Sequence, residues 1–342
     1  MNLKKFLFAS VFVAAFGAFA DDPGVSPGPG VRYATDAFPG FDLDNGSFKP
    51  EKKEPRLFAW INGPKMEDAA AQSAWAARLE AENDISGARK AYDALVREWP
   101  TSPEAPKAQL KVAKLLSAEL DYEESFKEYR YLLDFYSSSC DFSAVVQEMY
   151  KLAELMREEG KTVLFFRFRN TVDVRRAYES LVLRAPGADF VPKAMLTIAS
   201  LREDEDHLGE AVAVYENLRN IYPAAEEAKE AAYNEARTRM NIVRDHEYNR
   251  NRVRDTAGFI RQTISGVVLD DAKVADLRAW LAECDGFLED EAWKAAEFYD
   301  SPTRTRSSAV NAYNVFLKDY PVGAHAEEAR ARIAELTGRE SK

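Results

Sequence analysis

From Met66 onward, apolar residues recur every three or four positions through a background rich in Ala, Leu, Glu, Lys and Arg. That period lines them along one face of a helix. No stretch of strict apolar–polar alternation is long enough to predict a strand. One pattern returns within the helical background: a small residue, Tyr four later, Leu or Phe three after that, then Pro five further on. It reads Ala88, Tyr92, Leu95, Pro100, and again Ser125, Tyr129, Leu132, with Ser137 at the proline place. It returns as Val174, Tyr178, Leu181, Pro186; as Ala211, Tyr215, Leu218, Pro223; and as Ala309, Tyr313, Phe316, Pro321. Such offsets put the first three residues on one helix face and the proline just past the helix end.

The helix opened after each proline repeats as well. Alanine stands eight residues after it at Ala108, Ala194, Ala231 and Ala329, and thirteen after it at Ala113, Ala199, Ala236 and Ala334. The second unit carries Val145 and Tyr150 at these places. Small residues let two helices approach at the short end of the usual spacing, so each unit is predicted to be a close antiparallel pair. Tyr and Leu then fill the space between one pair and the next. The terminal positions are 37, 49, 37 and 98 residues apart. Since 98 is twice 49, a degenerate sixth unit is expected near Thr256–Val268. Insertions are expected over Arg157–Asp173 and Ile242–Asp290. The predicted fold is an all-α solenoid of about five to six antiparallel helix pairs, stacked one on the next.

The chain before Met66 has a different character. Residues 1–20 combine Lys4 and Lys5, an apolar run and Ala18-Phe19-Ala20 before Asp21, the form of a secretory signal peptide. Residues 21–64 hold seven of the fifteen prolines and six glycines, a composition for a flexible leader. Within it, "RLFAWINGP" is the best candidate for a docking segment, and "DLDNG" (Asp42–Gly46) resembles a calcium loop without its full ligand spacing. The predicted organisation is signal 1–20, leader 21–64, N-terminal repeats 65–240, and an irregular unit with the C-terminal repeat over 241–342. Without the signal, 44 Lys and Arg face 57 Asp and Glu, a net charge of −13. That balance argues against nucleic acid and anionic lipid as partners. No later segment is apolar enough to span a membrane. Cys140 and Cys284 would be permitted a disulfide in an oxidising compartment.

The small–Tyr–Leu–Pro spacing resembles the tetratricopeptide repeat over about residues 66–337, with Ala76, Ala113 and Ala199 at its small first-helix position. The order of units adds a narrower likeness. "REWPTSPEAPKA" and "RNIYPAAEEA" close earlier units, and "DEAWKAAEFYDSPTRTRSSAVNAYNVFLKDYPVGAHAEEARARIAEL" forms the last. This progression resembles the BamD family, lipoproteins of the outer-membrane β-barrel assembly machine. The resemblance implies a periplasmic protein-interaction scaffold at the outer membrane. Its N-terminal repeats would meet unfolded outer-membrane proteins, and its C-terminal repeats would hold other β-barrel assembly subunits. Asp21 stands where a lipoprotein carries its acylated Cys, so any association with the membrane is expected through partners.

Catalytic chemistry is not predicted. His207, His246 and His325 lack the spacing of a zinc site, and no nucleophile elbow or phosphate-cradling loop occurs. The acid runs "REDED" and "FLEDEAW" read as solvated helix ends. No cofactor or metal is expected. Three surfaces are candidates for partner binding. Lys107, Lys111 and Lys114 lie on the first helix of the second unit, where a basic groove would clamp a peptide carboxylate. Phe165, Phe166, Arg167, Phe168 and Arg169 are residue types common at interface hot spots. "RDHEYNRNRVRD", Arg244–Asp255, is locally basic on an acidic chain. The alternatives are another periplasmic tetratricopeptide adaptor, coordinating envelope or cell division, and a hydrolase or glycan-modifying enzyme.

Overall fold

A computed structural model describes residues 63–159, 161–163, 166–168, 171–245, 249–301 and 303–338, with the short strands Phe41–Asp42 (β1) and Ser47–Phe48 (β2). The signal peptide, nearly all of the leader, and the "DLDNG" interior lie outside the described residues. Thirteen α-helices follow among those described. They are α1 (Ala69–Ala81), α2 (Ile85–Glu98), α3 (Ala105–Ala118), α4 (Tyr122–Tyr136), α5 (Phe142–Glu159), α6 (Thr171–Arg184) and α7 (Val191–Asp204). Then come α8 (Leu208–Ile221), α9 (Glu227–Asp245), α10 (Arg250–Gly266), α11 (Asp271–Tyr299), α12 (Arg306–Asp319) and α13 (Ala326–Gly338). The chain divides into two compact units, residues 1–194 and 195–342. The division falls inside α7.

In the first unit each helix from α1 to α6 packs on the next. In the second, successive helices from α8 to α13 do the same, and α9 also reaches α11. The chemistry of the turns repeats. The turns after α1, α3 and α7 each place one residue in the left-handed region: Asn83, Leu120 and Asp206, with φ of 62°, 63° and 62°. The next backbone N–H reaches back to close each helix, Asp84 to Leu79, Asp121 to Leu116 and His207 to Arg202. That is a Schellman stop. Asp84 and Asp121 then cap the following helix, accepting from Gly87 and Glu124. At the other ends, Trp99, Tyr222 and Tyr320 share one non-helical C-cap conformation, with φ of −123°, −123° and −128° and ψ of 60°, 54° and 65°, ahead of Pro100, Pro223 and Pro321.

The repeat positions are the core. The small, Tyr and Leu or Phe residues of all five complete patterns are at most 4% exposed. Ala108, Ala113, Ala194, Ala199, Ala231, Ala236 and Ala329 are buried, which is where close helix approach needs them. Ala334 is exposed, because no helix follows α13 among the described residues. The degenerate unit is α10. Its buried Val253, Ala257 and Ile260 stand at the small, Tyr and Leu places, with Ser265 where proline would be. An alanine at the tyrosine place hides the pattern from the sequence. Together with Met240, Leu277 and Cys284, these residues make the core of that part of the second unit.

One expectation is corrected. Lys161–Val163 (β3) and Phe166–Phe168 (β4) pair antiparallel, with Val163 opposite Phe166 and Lys161 opposite Phe168. Strands of three residues are too short to display alternation.

Candidate protein-interaction surface

The hydroxyls of repeat tyrosines tie neighbouring helices together through carboxylates. In the first unit, Tyr92 on α2 donates to Glu80 on α1 at 3.2 Å. Lys111 on α3 donates to the same carboxylate at 2.6 and 2.9 Å. Three successive helices are thereby stitched through one carboxylate. Burial, then the Glu80 charge, pushes the Tyr92 hydroxyl up to about 12, so it stays a donor at any ordinary pH. Tyr178 on α6 donates to Glu154 on α5 at 2.7 Å, and Arg157 donates to that carboxylate at 2.8 Å. Burial works to raise the Glu154 carboxyl, but the Tyr178 and Arg157 hydrogen bonds hold it below its usual range.

The second unit builds the same staple twice. Glu203 on α7 interacts with Tyr215 of α8, which is held well above its usual range by burial and by this carboxylate. It also accepts from Arg237 on α9 at 2.7 Å and from Thr238. Asp300, at the end of α11, accepts from Tyr313 of α12 at 3.0 Å and from Arg332 of α13 at 2.5 and 3.1 Å. The Arg332 hydrogen bonds, against a smaller effect of burial, hold the Asp300 carboxyl below its usual range. The acid precedes its tyrosine by twelve residues in two staples, by thirteen in Asp300–Tyr313, and by twenty-four across the β3–β4 insertion. That spacing was available in the sequence and goes unnoticed when only apolar positions are aligned.

The second tyrosine breaks the series. Twelve residues before Tyr129 stands Ser117, and the position on α5 corresponding to Lys111 is Glu148. Tyr129 is 3% exposed, and its hydroxyl is not among the buried side-chain atoms that lack a hydrogen-bond partner. Burial, then the Glu148 charge, raises this hydroxyl to about 12.

The three candidate lysines separate. Lys107 and Lys114 are exposed on α3, whereas the Lys111 ammonium is engaged by Glu80. Of the "FFRFR" segment, Phe166, Arg167 and Phe168 form β4, while Phe165 and Arg169 lie outside the described residues. In the basic stretch, Arg244 pairs with Glu283 at 2.6 Å, and Arg250, Arg252 and Arg254 are exposed on α10. His246 lies outside the described residues. His207 caps α8 beside Glu210, and His325 stacks on Trp293 at 4.8 Å. Cys140 and Cys284 are unpaired, with the Cys284 sulfur 3.4 Å from that of Met240. No metal-ligating cluster occurs among the described residues, and no described helix is long and apolar enough to cross a membrane.

A further surface was not singled out in sequence. Phe298 and Tyr299, at the end of α11, are 61% and 42% exposed. The Arg304 guanidinium lies over both rings, 4.1 and 4.9 Å from their centroids. Exposed aromatic rings under an arginine combine the residue types enriched at protein–protein hot spots.

No family model matches the chain, and no curated protein matches it. Among solved structures, a tetratricopeptide repeat protein from Parabacteroides merdae is similar at 12% identity, over 79% of this chain and 98% of that chain, with a TM-score of 0.28. The fold assignment rests on the repeat geometry: helix pairs with small residues at close contacts and a buried Tyr with a buried Leu or Phe in each complete pattern.

Proposed function

We propose that the chain is a periplasmic protein-interaction scaffold serving the assembly of outer-membrane β-barrel proteins. The observation that carries the interaction role is the Phe298–Tyr299–Arg304 surface. Two exposed aromatic rings are costly to leave in water, and with a guanidinium over them they are suited to burial by another protein. This surface lies within Asp290–Leu336, the stretch whose residue progression resembles the BamD family, and that resemblance supports the specific setting. Partners would be β-barrel assembly subunits or unfolded outer-membrane proteins, and membrane association would run through them. The test is crosslinking of the tagged chain in envelope extracts, followed by mass spectrometry. Recovery of assembly subunits or barrel proteins is expected, with loss on Phe298→Ser combined with Tyr299→Ser. Absence of both classes from the crosslinked material would overturn the assembly role.

A further inference from the structure

The Phe298–Tyr299–Arg304 surface is pinned from beneath. Asp300, which follows the two rings, accepts from Tyr313 at 3.0 Å and from Arg332 at 2.5 and 3.1 Å, so the end of α11 is anchored to α12 and α13. The Arg304 backbone N–H donates to Ser301 at 2.9 Å, and Thr305 beside it caps α12, accepting from the Ser308 N–H at 3.3 Å. Rings and arginine therefore both stand on fixed backbone. Phe298 and Tyr299 meet edge to face, 5.6 Å apart at 80°, with the guanidinium over both. A guanidinium donates within its own plane, so resting on rings uses none of its N–H groups. Arg304 makes no side-chain hydrogen bond or ion pair among the described residues, and Asp300, the nearest acid in sequence, is already taken. Arg306, two residues on, is exposed and likewise without an ion pair among the described residues.

We propose that this surface takes an acidic–apolar segment of a partner protein: an aspartate or glutamate side chain forks onto Arg304, and a neighbouring apolar side chain covers Phe298 and Tyr299. A carboxylate matches the guanidinium with two parallel hydrogen bonds. Covering the rings also takes the cation out of water, which strengthens its hold on the carboxylate and on the rings alike. The three side chains are positioned before the partner arrives, so little ordering entropy opposes binding. A second copy of the chain is the poorer occupant, because three side chains fall far short of the about 1,200–2,000 Å² that a stable protein–protein interface buries. This partner chemistry deepens the scaffold reading and rests on it. Its test uses the purified chain and peptides, so it can fail while the envelope crosslinks to Phe298 and Tyr299 stand.

The full chain, labelled with 3-fluorotyrosine, is titrated with the peptide Leu-Glu-Leu, acetylated and amidated so that the glutamate is its one carboxylate, and watched by fluorine NMR. Tyr299→Phe assigns the resonance. The peptide is expected to shift the Tyr299 signal saturably. Leu-Gln-Leu should bind about tenfold more weakly, the loss of one charge-assisted contact, and Ser-Glu-Ser, without apolar side chains, should leave the signal in place. Arg304→Glu should reverse the preference, favouring Leu-Lys-Leu over Leu-Glu-Leu, with an unchanged circular dichroism spectrum to show that the variant folds. Equal binding of Leu-Gln-Leu, no shift with Leu-Glu-Leu, or a preference unchanged in Arg304→Glu would each overturn the proposal. So would a Tyr299 shift that grows with chain concentration alone and disappears in Arg304→Glu, which would assign the surface to a second copy.

Discussion

Arg184 and Asp134 tie α6 to α4 through a two-pronged ion pair. The Arg184 guanidinium donates to Asp134 at 2.9, 3.1 and 3.3 Å, and to Ser180 at 2.7 Å. The side chains are only 6% and 7% exposed. Burial raises the Asp134 carboxyl above its usual range, and Arg184, with Arg130 behind it, pulls it back. Arg184→Met removes the main counter-charge and leaves a buried carboxylate. Breaking a buried pair from one side costs about 3–5 kcal/mol. Arg130 remains near enough to relieve part of this, which places the expected loss near about 3 kcal/mol. Adding Asp134→Leu removes the stranded charge, and the double variant should recover most of the loss. Urea unfolding followed by circular dichroism measures both. The pH dependence gives a second check. With its carboxyl raised further in the folded variant, the penalty is full at neutral pH. It shrinks as pH falls towards the ordinary carboxylate value of about 3.9, where the unfolded chain also takes up the proton. A loss below about 1 kcal/mol for Arg184→Met, or a double variant no more stable than the single, would refute the reasoning.

Other expectations concern turns, staples and thiols. Leu120 is 66% exposed and carries a left-handed backbone at φ 63°, where Asn83 and Asp206 serve the neighbouring turns. Leu120→Gly should stabilise the chain by about 1 kcal/mol in urea unfolding, and a loss would count against strain at this turn. Asp300 titrates below its usual range when folded. Its stabilisation is therefore full above about pH 3.9 and disappears as pH falls from there through the folded value. Asp300→Asn should lower the melting temperature at pH 7 and narrow its gap to wild type in acid; a gap constant with pH would contradict this. Cys284 is fully buried, and burial, with Glu283 next, pushes its thiol up to about 11. In a native thiol-reagent titration Cys140 should react first, and Cys284 only as the chain unfolds. Equal rates for the two would show that Cys284 is accessible.

The repeat was legible because each of its marks answers to one physical demand. Tyr92, Leu95 and Pro100 report burial on a helix face followed by a helix end, and the same demands recur at Tyr313, Phe316 and Pro321. Where the demand is met differently, the pattern fades. In α10, Ala257 replaces the tyrosine, and the buried face is completed by Ile260 and Val253. The β3–β4 hairpin left no periodic trace at three residues per strand. The candidate surfaces were less legible still. Lys111 looks like its neighbours Lys107 and Lys114 in sequence, and only the fold brings Glu80, thirty-one residues earlier, to its ammonium. Phe298 and Tyr299 follow a helical run of small and charged residues, and their exposure depends on where α11 stops.

The segment between α5 and α6 has a consequence for how this chain tolerates change. Three residues join α1 to α2, whereas eleven, 160–170, join α5 to α6. The added closure entropy for a loop lengthened this much is only about 1 kcal/mol. Tyr178 nevertheless meets Glu154 as Tyr92 meets Glu80. Contacts in this protein are therefore addressed by helix order, not by residue count. Extra sequence can be spliced between the two helices of a pair while the tyrosine–carboxylate contact across that pair is kept. That makes 160–170 the natural place to graft a reporter or an epitope without disturbing the array.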